Sequence, residues 1–339
     1  MQPVQIGIIG CGYWGPNHVR VFEELPEATL SWVCDRREDR LTAMRTRHPQ
    51  VRTTCSVAEL LASAVDAVVI ATPIATHAEL AMHALCAGKH VLLEKPMATT
   101  VEEAEALVAM GQRQHRVLMI GHTFEYNPAV ETLRQLIASG ELGDIYYVNS
   151  TRVNLGLFQP DVNVIWDLAP HDVSILQFIL GQEVNSVCAT GGIYIQRAAG
   201  IHDMAHLTLH FSGEILANVH VSWLDPCKIR RATVVGSRKM VVYDDVAPDH
   251  KLMIYDKGVV YSAPANANVS GCLTYRHGEG IPYPVVWHEP LKAECQHFID
   301  CIRNNRTPRS SGEDGLRVVR VLAAAQRSLR NGGNRELVR

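Results

Sequence analysis

The first third of the chain alternates short apolar, β-branched runs with longer segments in which apolar residues recur every three or four positions. The apolar runs predict strands over residues 4–9, 30–34, 67–71, 91–93 and 117–120. The periodic segments predict helices over residues 16–24, 37–47, 57–61, 76–87 and 101–114. Two of these helices open with a capping box, Ser56 to Glu59 and Thr100 to Glu103. Strands alternating with helices predict an α/β domain, a doubly wound parallel sheet of the Rossmann type, over residues 1–122.

The pattern changes after Gly121 and predicts a second domain over residues 123–339. Glycines close two predicted helices, 128–139 and 167–180, and residues 145–153 read as extended. Repeated strand patterns between 184 and 261 predict an open, largely antiparallel sheet. The Gly-, Pro- and Asn-containing segment 262–284 is predicted to be a loop. Two closing helices, 291–304 and 313–329, complete an α+β domain and could pack back on the first one.

Composition and charge narrow the range of partners. The chain has 339 residues, 47% of them hydrophobic, and a formal charge of -3, so it presents no broad positive field and we expect no nucleic-acid partner. No apolar run approaches the roughly 18 residues of a membrane span, and the first residues lack a secretory signal pattern. We therefore expect a cytoplasmic protein without a membrane partner.

Neither the cysteines nor the histidines form a metal-binding pattern. The nine cysteines are scattered and include no C-x-x-C pair, which is typical of reduced thiols. His202, His206 and His210 recur every four residues, but the surrounding alternation predicts a strand, on which they share one sheet face. We expect no metal site.

A glycine-rich motif lies between the first predicted strand and the first predicted helix. It reads Gly10-Cys11-Gly12-Tyr13-Trp14-Gly15 and fits G-x-G-x-x-G. In such a turn the glycines allow the tight bend, the approach of a pyrophosphate and the close packing of helix and strand, while the helix N-terminus offers free N–H groups. The position of the motif predicts that the first domain binds a dinucleotide.

Asp35 follows the second predicted strand, twenty residues after Gly15. A carboxylate there can accept hydrogen bonds from both ribose hydroxyls of NAD and repels the 2′-phosphate of NADP. Arg36 and Arg37 come next, and a guanidinium could stack on adenine or pair with a 2′-phosphate. On the charge of Asp35 we expect NAD rather than NADP.

Three further residues carry acid–base chemistry. Lys95, in Glu94-Lys95-Pro96, follows a predicted strand at the sheet edge where ligands of doubly wound sheets bind. Asp167 and His171 are spaced i,i+4, so that on a helix they share one side. With Pro170 predicted in the first turn, Asp167 is expected at or near the N-cap, where its carboxylate orients the imidazole. The imidazole is suited to act as a general base for an alcohol.

These motifs together resemble the Gfo/Idh/MocA oxidoreductases. The resemblance rests on the glycine motif, Ala71-Thr72-Pro73 with His77, Glu94-Lys95-Pro96, Gly121-His122 with Tyr126-Asn127-Pro128, and Asp167 with His171. It implies that Lys95, Asp167 and His171 form the catalytic group. It also implies that the glycines and Asp35 are joined at the cofactor by Tyr13, Trp14, Arg36, Thr72, Pro73, His77, Glu94 and Lys95. It further implies that the substrate is approached by His122, Tyr126 and Asn127 together with Asp167 and His171.

The resemblance implies an NAD-dependent dehydrogenase that acts on a secondary hydroxyl of a sugar, sugar nucleotide or cyclitol. Either His171 or Lys95 would remove the hydroxyl proton as hydride leaves the same carbon. One alternative is an NADP-dependent sugar ketoreductase of deoxysugar biosynthesis. Another is a dinucleotide-binding regulator without catalysis. Members of the family commonly form dimers or tetramers, so we expect a homodimer or homotetramer.

Overall fold

The computed structural model describes residues 2–262 and 271–339. The chain divides into two compact units. Unit 1 comprises Met1–Tyr126 and His288–Arg320, and unit 2 comprises Asn127–Trp287 and Val321–Arg339. The helices of the described chain are α1 Gly15–Glu24, α2 Glu38–Arg47, α3 Val57–Ala62, α4 His77–Cys86, α5 Val101–Arg113, α6 Pro128–Ala138, α7 Val164–Leu180, α8 Pro290–Asn304 and α9 Gly312–Arg330.

Unit 1 contains a six-stranded parallel sheet in the order β3-β2-β1-β4-β5-β6. Its strands are β1 Val4–Ile9, β2 Ala28–Cys34, β3 Arg52–Thr54, β4 Ala67–Ile70, β5 His90–Glu94 and β6 Leu118–Gly121. The predicted doubly wound sheet is confirmed. Strand β3 was not predicted, because its three residues, Arg-Thr-Thr, carry no apolar run; they pair with the end of β2 at the sheet edge.

The N-cap half of both predicted capping boxes is confirmed in unit 1, but the reciprocal bonds differ: Glu59 Oε2 accepts from Thr54 Oγ1 and Glu103 Oε2 from the Thr99 amide, not from the N-cap amides. Ser56 Oγ accepts a hydrogen bond from the Glu59 amide, and Thr100 Oγ1 accepts one from the Glu103 amide, at 3.2 Å in each case. The core of the unit combines residues of β1, β2, α1 and α2 with Leu291, Phe298 and Ile299 of α8. Helix α8 therefore belongs to the same hydrophobic core as the parallel sheet.

Unit 2 contains a nine-stranded sheet in the order β14-β13-β12-β11-β7-β10-β9-β8-β15. Among the described strands of this sheet only β7 and β10 pair in parallel, so the prediction of a largely antiparallel sheet is confirmed. The strands are β7 Ile145–Val153, β8 Ser186–Gly192, β9 Met204–His210, β10 Leu216–Ser222, β11 Ile229–Gly236, β12 Met240–Asp244, β13 Leu252–Ser262, β14 Cys272–Pro282 and β15 Glu336–Leu337.

The prediction of a loop over 262–284 is wrong for most of its described part. Residues 272–282 form β14, which pairs with β13, while residues 263–270 of the predicted loop lie outside the described residues. The glycines that suggested a loop allow close approach within the sheet instead: a Cβ at Gly278 would lie 2.6 Å from the Asp256 carbonyl oxygen. Glycine here marks tight packing rather than a turn.

Two features are absent from residues 2–262 and 271–339. No helix in these ranges is long and apolar enough to cross a membrane. Among the same residues, no group of three or more His, Cys, Asp or Glu side chains is arranged to hold a metal ion. The segment of His206 and His210 is strand β9, as predicted, and His206 stacks on His220 of the neighbouring β10 at a centroid distance of 4.2 Å.

Candidate active site

The glycine turn after β1 has the geometry that its motif requires. Gly10 has φ +99°, and a Cβ there would lie 2.6 Å from the Ala71 carbonyl oxygen. A Cβ at Gly15 would collide with the Gly10 carbonyl oxygen, so helix and strand pack too closely for a side chain. A Cβ at Gly12 would meet nothing closer than Arg40 Nη1 at 3.8 Å. The middle glycine therefore leaves the room that an approaching pyrophosphate needs.

The start of α1 fits a phosphate group. Trp14 is its N-cap residue, and its side chain accepts no hydrogen bond from the first-turn N–H groups. Tyr13 is 84% exposed, and its ring meets Trp14 edge-on with centroids 5.8 Å apart.

The carboxylate of Asp35 is buried at the end of β2 and is tied to the glycine turn. Its Oδ2 accepts a hydrogen bond from the Cys11 amide at 2.6 Å, and its Oδ1 accepts one from the Arg37 amide at 2.8 Å. Arg40 Nη1 lies 3.3 Å from Oδ2, whereas Arg36 is exposed. These charge-assisted bonds fix the carboxylate beside the turn, where a ribose of a bound dinucleotide is expected.

The segment after β4 carries Thr72, Pro73 and His77. Thr72 Oγ1 accepts a hydrogen bond from Thr76 Oγ1 at 2.8 Å, and Pro73 is exposed. His77 is only 1% exposed, and its Nε2 and Nδ1 lie 2.8 Å from the carbonyl oxygens of Thr72 and Pro96, respectively. Burial lowers the pKa of this imidazole. His77 is thus a buried contact between the segment that follows β4 and the segment that follows β5.

Lys95 directly follows β5, and its peptide bond to Pro96 is cis. The preceding Glu94 is 7% exposed, and its Oε1 lies 2.9 Å from Nε2 of the fully buried His18 in α1. Because β1, β4, β5 and β6 are consecutive parallel strands, their carboxyl ends share one sheet edge. That edge carries the glycine turn, Thr72, Lys95 and His122.

Two of the residues expected near a substrate have packing roles in this structure. Tyr126 is 2% exposed, its ring lies under the Arg309 guanidinium at 4.8 Å, and its hydroxyl lies 3.2 Å from Ser310 Oγ. Asn127 is the N-cap residue of α6 and accepts a hydrogen bond from the Ala129 amide at 2.9 Å. The approach of these two residues to a substrate stays a prediction.

His122 occupies a different kind of position. It is 1% exposed, and within the part of the chain that the structure describes neither ring nitrogen has a hydrogen-bond partner. Burial lowers the pKa of His122 to about 4, and the positive charge of nearby Lys95 acts in the same direction. His122 is therefore a neutral imidazole close enough to Lys95 to be affected by its charge.

Asp167 and His171 lie in α7, but the predicted helix start is wrong. The helix begins at Val164 with Asn163 as its N-cap, whose side chain accepts hydrogen bonds from the Ile165 and Trp166 amides. Asp167 is therefore inside the helix, and Pro170 lies beyond the first turn. The missing N–H of Pro170 withdraws the helical bond to the Trp166 carbonyl, a cost that tertiary packing tolerates here. The i,i+4 spacing still places Asp167 and His171 on one side of the helix.

Two contacts of α7 fix the position of this pair. Trp223, at 1% exposure, donates a hydrogen bond from Nε1 to Asp167 Oδ2 at 2.9 Å. Asp172, next to His171, accepts hydrogen bonds from Ser150 Oγ at 2.7 Å and Arg152 Nε at 2.6 Å, both on β7. The helix is thereby anchored to the sheet of unit 2 through buried polar groups.

Sequence reasoning identified the residues with obvious chemistry and missed those that hold them. His18, Trp223 and Asp172 were not predicted as site residues. Only His18 had a readable signal, a polar residue among the apolar positions Val19, Val21 and Phe22 of α1. The roles of Trp223 and Asp172 depend on strands distant in sequence and could not be read locally.

The fold and site of unit 1 define a dinucleotide-binding Rossmann protein: β1 runs through a glycine turn into α1, and an acid ends β2. The Gfo/Idh/MocA model described as "Oxidoreductase family, NAD-binding Rossmann fold" matches residues 4–122, and the model of the family's C-terminal domain matches residues 130–242. The chain belongs to the Gfo/Idh/MocA family of oxidoreductases. The expected family membership is thus confirmed.

Named relatives resemble the chain over most of its length. UDP-N-acetylglucosamine 3-dehydrogenase of Acidithiobacillus ferrooxidans is 31% identical over 96% of this chain and 96% of its own. The NAD(+)-dependent scyllo-inositol 2-dehydrogenase of Bacillus subtilis is 27% identical over 79% of this chain and 76% of its own. A solved structure of the Acidithiobacillus enzyme superposes with a TM-score of 0.82, at 28% identity, covering 98% of this chain and all of that one.

Proposed function

We propose that the protein is an NAD-dependent oxidoreductase that transfers hydride between a secondary hydroxyl of a sugar, sugar nucleotide or cyclitol and nicotinamide. The observation that carries the proposal is that this member of an oxidoreductase family has Lys95 at the carboxyl end of β5 and the Asp167–His171 pair on α7. The two named relatives are dehydrogenases of a UDP-sugar and of an inositol, which supports the substrate class.

In the proposed reaction, side chains of the protein transfer the proton of the substrate hydroxyl. When bound, the nicotinamide takes or gives the hydride. Lys95 and His171 are assigned to the substrate hydroxyl: one holds the oxygen by a hydrogen bond, and the other accepts the proton. Asp167, held by the indole N–H of Trp223, keeps the His171 ring in orientation and stabilises its protonated form.

Asp35 supports NAD as the cofactor. A buried anion beside the glycine turn can accept hydrogen bonds from ribose hydroxyls and repels a phosphate placed there. Arg40, within 3.3 Å of the same carboxylate, and the exposed Arg36 favour the second candidate, an NADP-dependent ketoreductase. We propose NAD because the two amide hydrogen bonds hold the anion in place whichever way these long side chains turn.

Replacing Asp35 by Ala is expected to lower the preference for NAD. The change removes the acceptor of the ribose hydroxyls and the repulsion of a 2′-phosphate, so the ratio of the Kd for NADP to the Kd for NAD should fall at least about tenfold. Titration calorimetry with both cofactors measures this ratio. Glu102→Ala, which removes an exposed carboxylate of α5, is the control and should leave the ratio unchanged. An unchanged ratio in Asp35→Ala would show that this carboxylate does not select the cofactor.

A substrate panel tests the reaction itself. The protein is incubated with NAD or NADP and with sugars, inositols and nucleotide sugars, and reduced cofactor is followed by absorbance. We expect turnover with NAD and at least one of these compounds. Reduction of keto sugars by NADPH alone would favour the ketoreductase, whereas cofactor binding without turnover in either direction would favour a regulator.

Assembly and location stay predictions. We propose a homodimer or homotetramer in the cytoplasm, on the resemblance to family members. Sedimentation of the purified chain at several concentrations measures the assembly state, and a monomer throughout would contradict this part of the proposal.

A further inference from the structure

The residues on both sides of Lys95 are held by buried histidines. Glu94 lies against His18 of α1, with 2.9 Å between Oε1 and Nε2. Pro96 lies against His77 of α4, with 2.8 Å between its carbonyl oxygen and Nδ1. Both histidines are at most 1% exposed, and neither is needed by the proposed proton transfer. Burying two polar imidazoles costs free energy. Their position therefore suggests that they serve the segment that they contact.

The contacts of His18 determine which ring nitrogen carries the proton. Its Nδ1 lies 3.7 Å from Sγ of Cys295, which is fully buried in α8. Burial raises the pKa of this thiol, so it stays protonated and can donate its S–H to Nδ1. With Nδ1 facing the thiol, Nε2 carries a ring proton and donates it to Glu94 Oε1. The chain from thiol to imidazole to carboxylate gives Glu94 a fixed donor.

Glu94 is also confined from its other side. A Cβ added to Gly121 would lie 3.2 Å from Glu94 Oε2 and 3.3 Å from Glu94 Cα, so the carboxylate is packed tightly against the end of β6. The His77 ring lies between the carbonyl oxygens of Pro96 and Thr72, 2.8 Å from each, and as a neutral imidazole it donates a hydrogen bond to one of them while packing against the other. The backbone around Lys95 is thus linked both to the helix that begins at the glycine turn and to the segment that follows β4.

We propose that His18 and His77 are positioning residues that clamp the backbone around Lys95 and thereby fix its ammonium relative to the dinucleotide site. This inference rests on the proposed function for its catalytic consequence, but the clamp itself is a property of the chain without substrate. Displacement of a reacting group by about 1 Å can lower a rate about 100-fold, so loosening either histidine should lower kcat without removing the cofactor site.

The first experiment measures amide hydrogen exchange of the full chain without substrate. His18→Leu and His77→Leu should each raise the exchange rate of the peptide containing Glu94 to Met97 at least about fivefold. Val21→Ala makes a cavity in the same helix as His18, and His83→Leu changes an exposed histidine in the same helix as His77. Neither control should alter exchange in that peptide. Unchanged exchange in both leucine variants would overturn the clamp.

The second experiment separates positioning from packing by conservative replacement. The amide nitrogen of Gln can occupy the place of His Nε2, whereas that of Asn lies nearer Nδ1 and does not reach Glu94. With a substrate found by the panel, we expect the kcat of His18→Leu and of His18→Asn to be about 10- to 100-fold below that of the wild type, with little change in the Kd for NAD. The kcat of His18→Gln should be close to that of the wild type. Equal losses in the Gln and Asn variants would contradict the donor role, and this comparison stands even if His18→Leu does not fold.

The two experiments distinguish a failure of the proposed reaction from a failure of the proposed clamp. If no panel compound is turned over but exchange rises as expected, the proposed reaction is wrong and the clamp stands. If the wild-type protein is active and His18→Asn keeps full kcat, the reaction stands and the positioning role is wrong.

Discussion

Replacing Lys95 or His171 by Ala is expected to reduce kcat by about 100- to 10,000-fold while leaving the Kd for NAD close to that of the wild type. Each change removes one of the two groups assigned to the substrate hydroxyl, so the loss falls on proton transfer and on the orientation of the oxygen. The glycine turn and Asp35, which are assigned to the cofactor, are untouched. Steady-state kinetics and calorimetry with NAD measure the two quantities.

The matched controls are an exposed lysine and an exposed histidine. Lys228→Ala and His250→Ala change the same side-chain types at exposed positions of unit 2 and should keep wild-type kcat. A further comparison uses the pH profile: if His171 is the base, the acidic limb of kcat disappears in His171→Ala, and if Lys95 is the base, the limb persists there. Near-normal turnover in both Lys95→Ala and His171→Ala would reject the site.

Replacing Asp172 by Ala is expected to lower the free energy of unfolding by about 3–5 kcal/mol. Asp172 is 2% exposed and accepts hydrogen bonds from Arg152 and Ser150. Its replacement by Ala removes the carboxylate that faces the guanidinium of Arg152, a residue that is 5% exposed. The cost comes from the buried positive charge that remains on β7 rather than from the lost contact alone. Urea unfolding followed by circular dichroism measures the change.

Asp172→Asn is a conservative comparison for this prediction, and Asp249→Ala is its exposed control. Asn keeps an acceptor for Ser150 but loses the charge opposite Arg152, so its loss of stability should be similar to or somewhat smaller than that of Ala. Asp249 is exposed, and its replacement by Ala should change stability by less than about 0.5 kcal/mol. A loss below about 1 kcal/mol in Asp172→Ala would mean that the ion pair does not anchor α7.

The sequence predicted unit 1 well because its signals are local. Apolar runs, capping residues such as Ser56 and Thr100, and a glycine motif at a strand–helix junction each act within a few residues, and all were confirmed in the fold. The failures occurred where a local signal had two interpretations. Gly278 suggested a turn but allows close strand contact, and Pro170 suggested a helix start although Asn163 caps the helix about two turns earlier.

By itself the sequence determined the two kinds of sheet, the glycine turn and the identity of the groups with acid–base chemistry. Only the tertiary structure decided what holds those groups: the His18–Glu94 contact, the indole of Trp223 on Asp167 and the Arg152–Asp172 pair. The physical reason is one of range. Backbone conformation follows from side chains a few positions apart, whereas the hydrogen bonds of a buried polar group depend on strands and helices that sequence separation does not reveal.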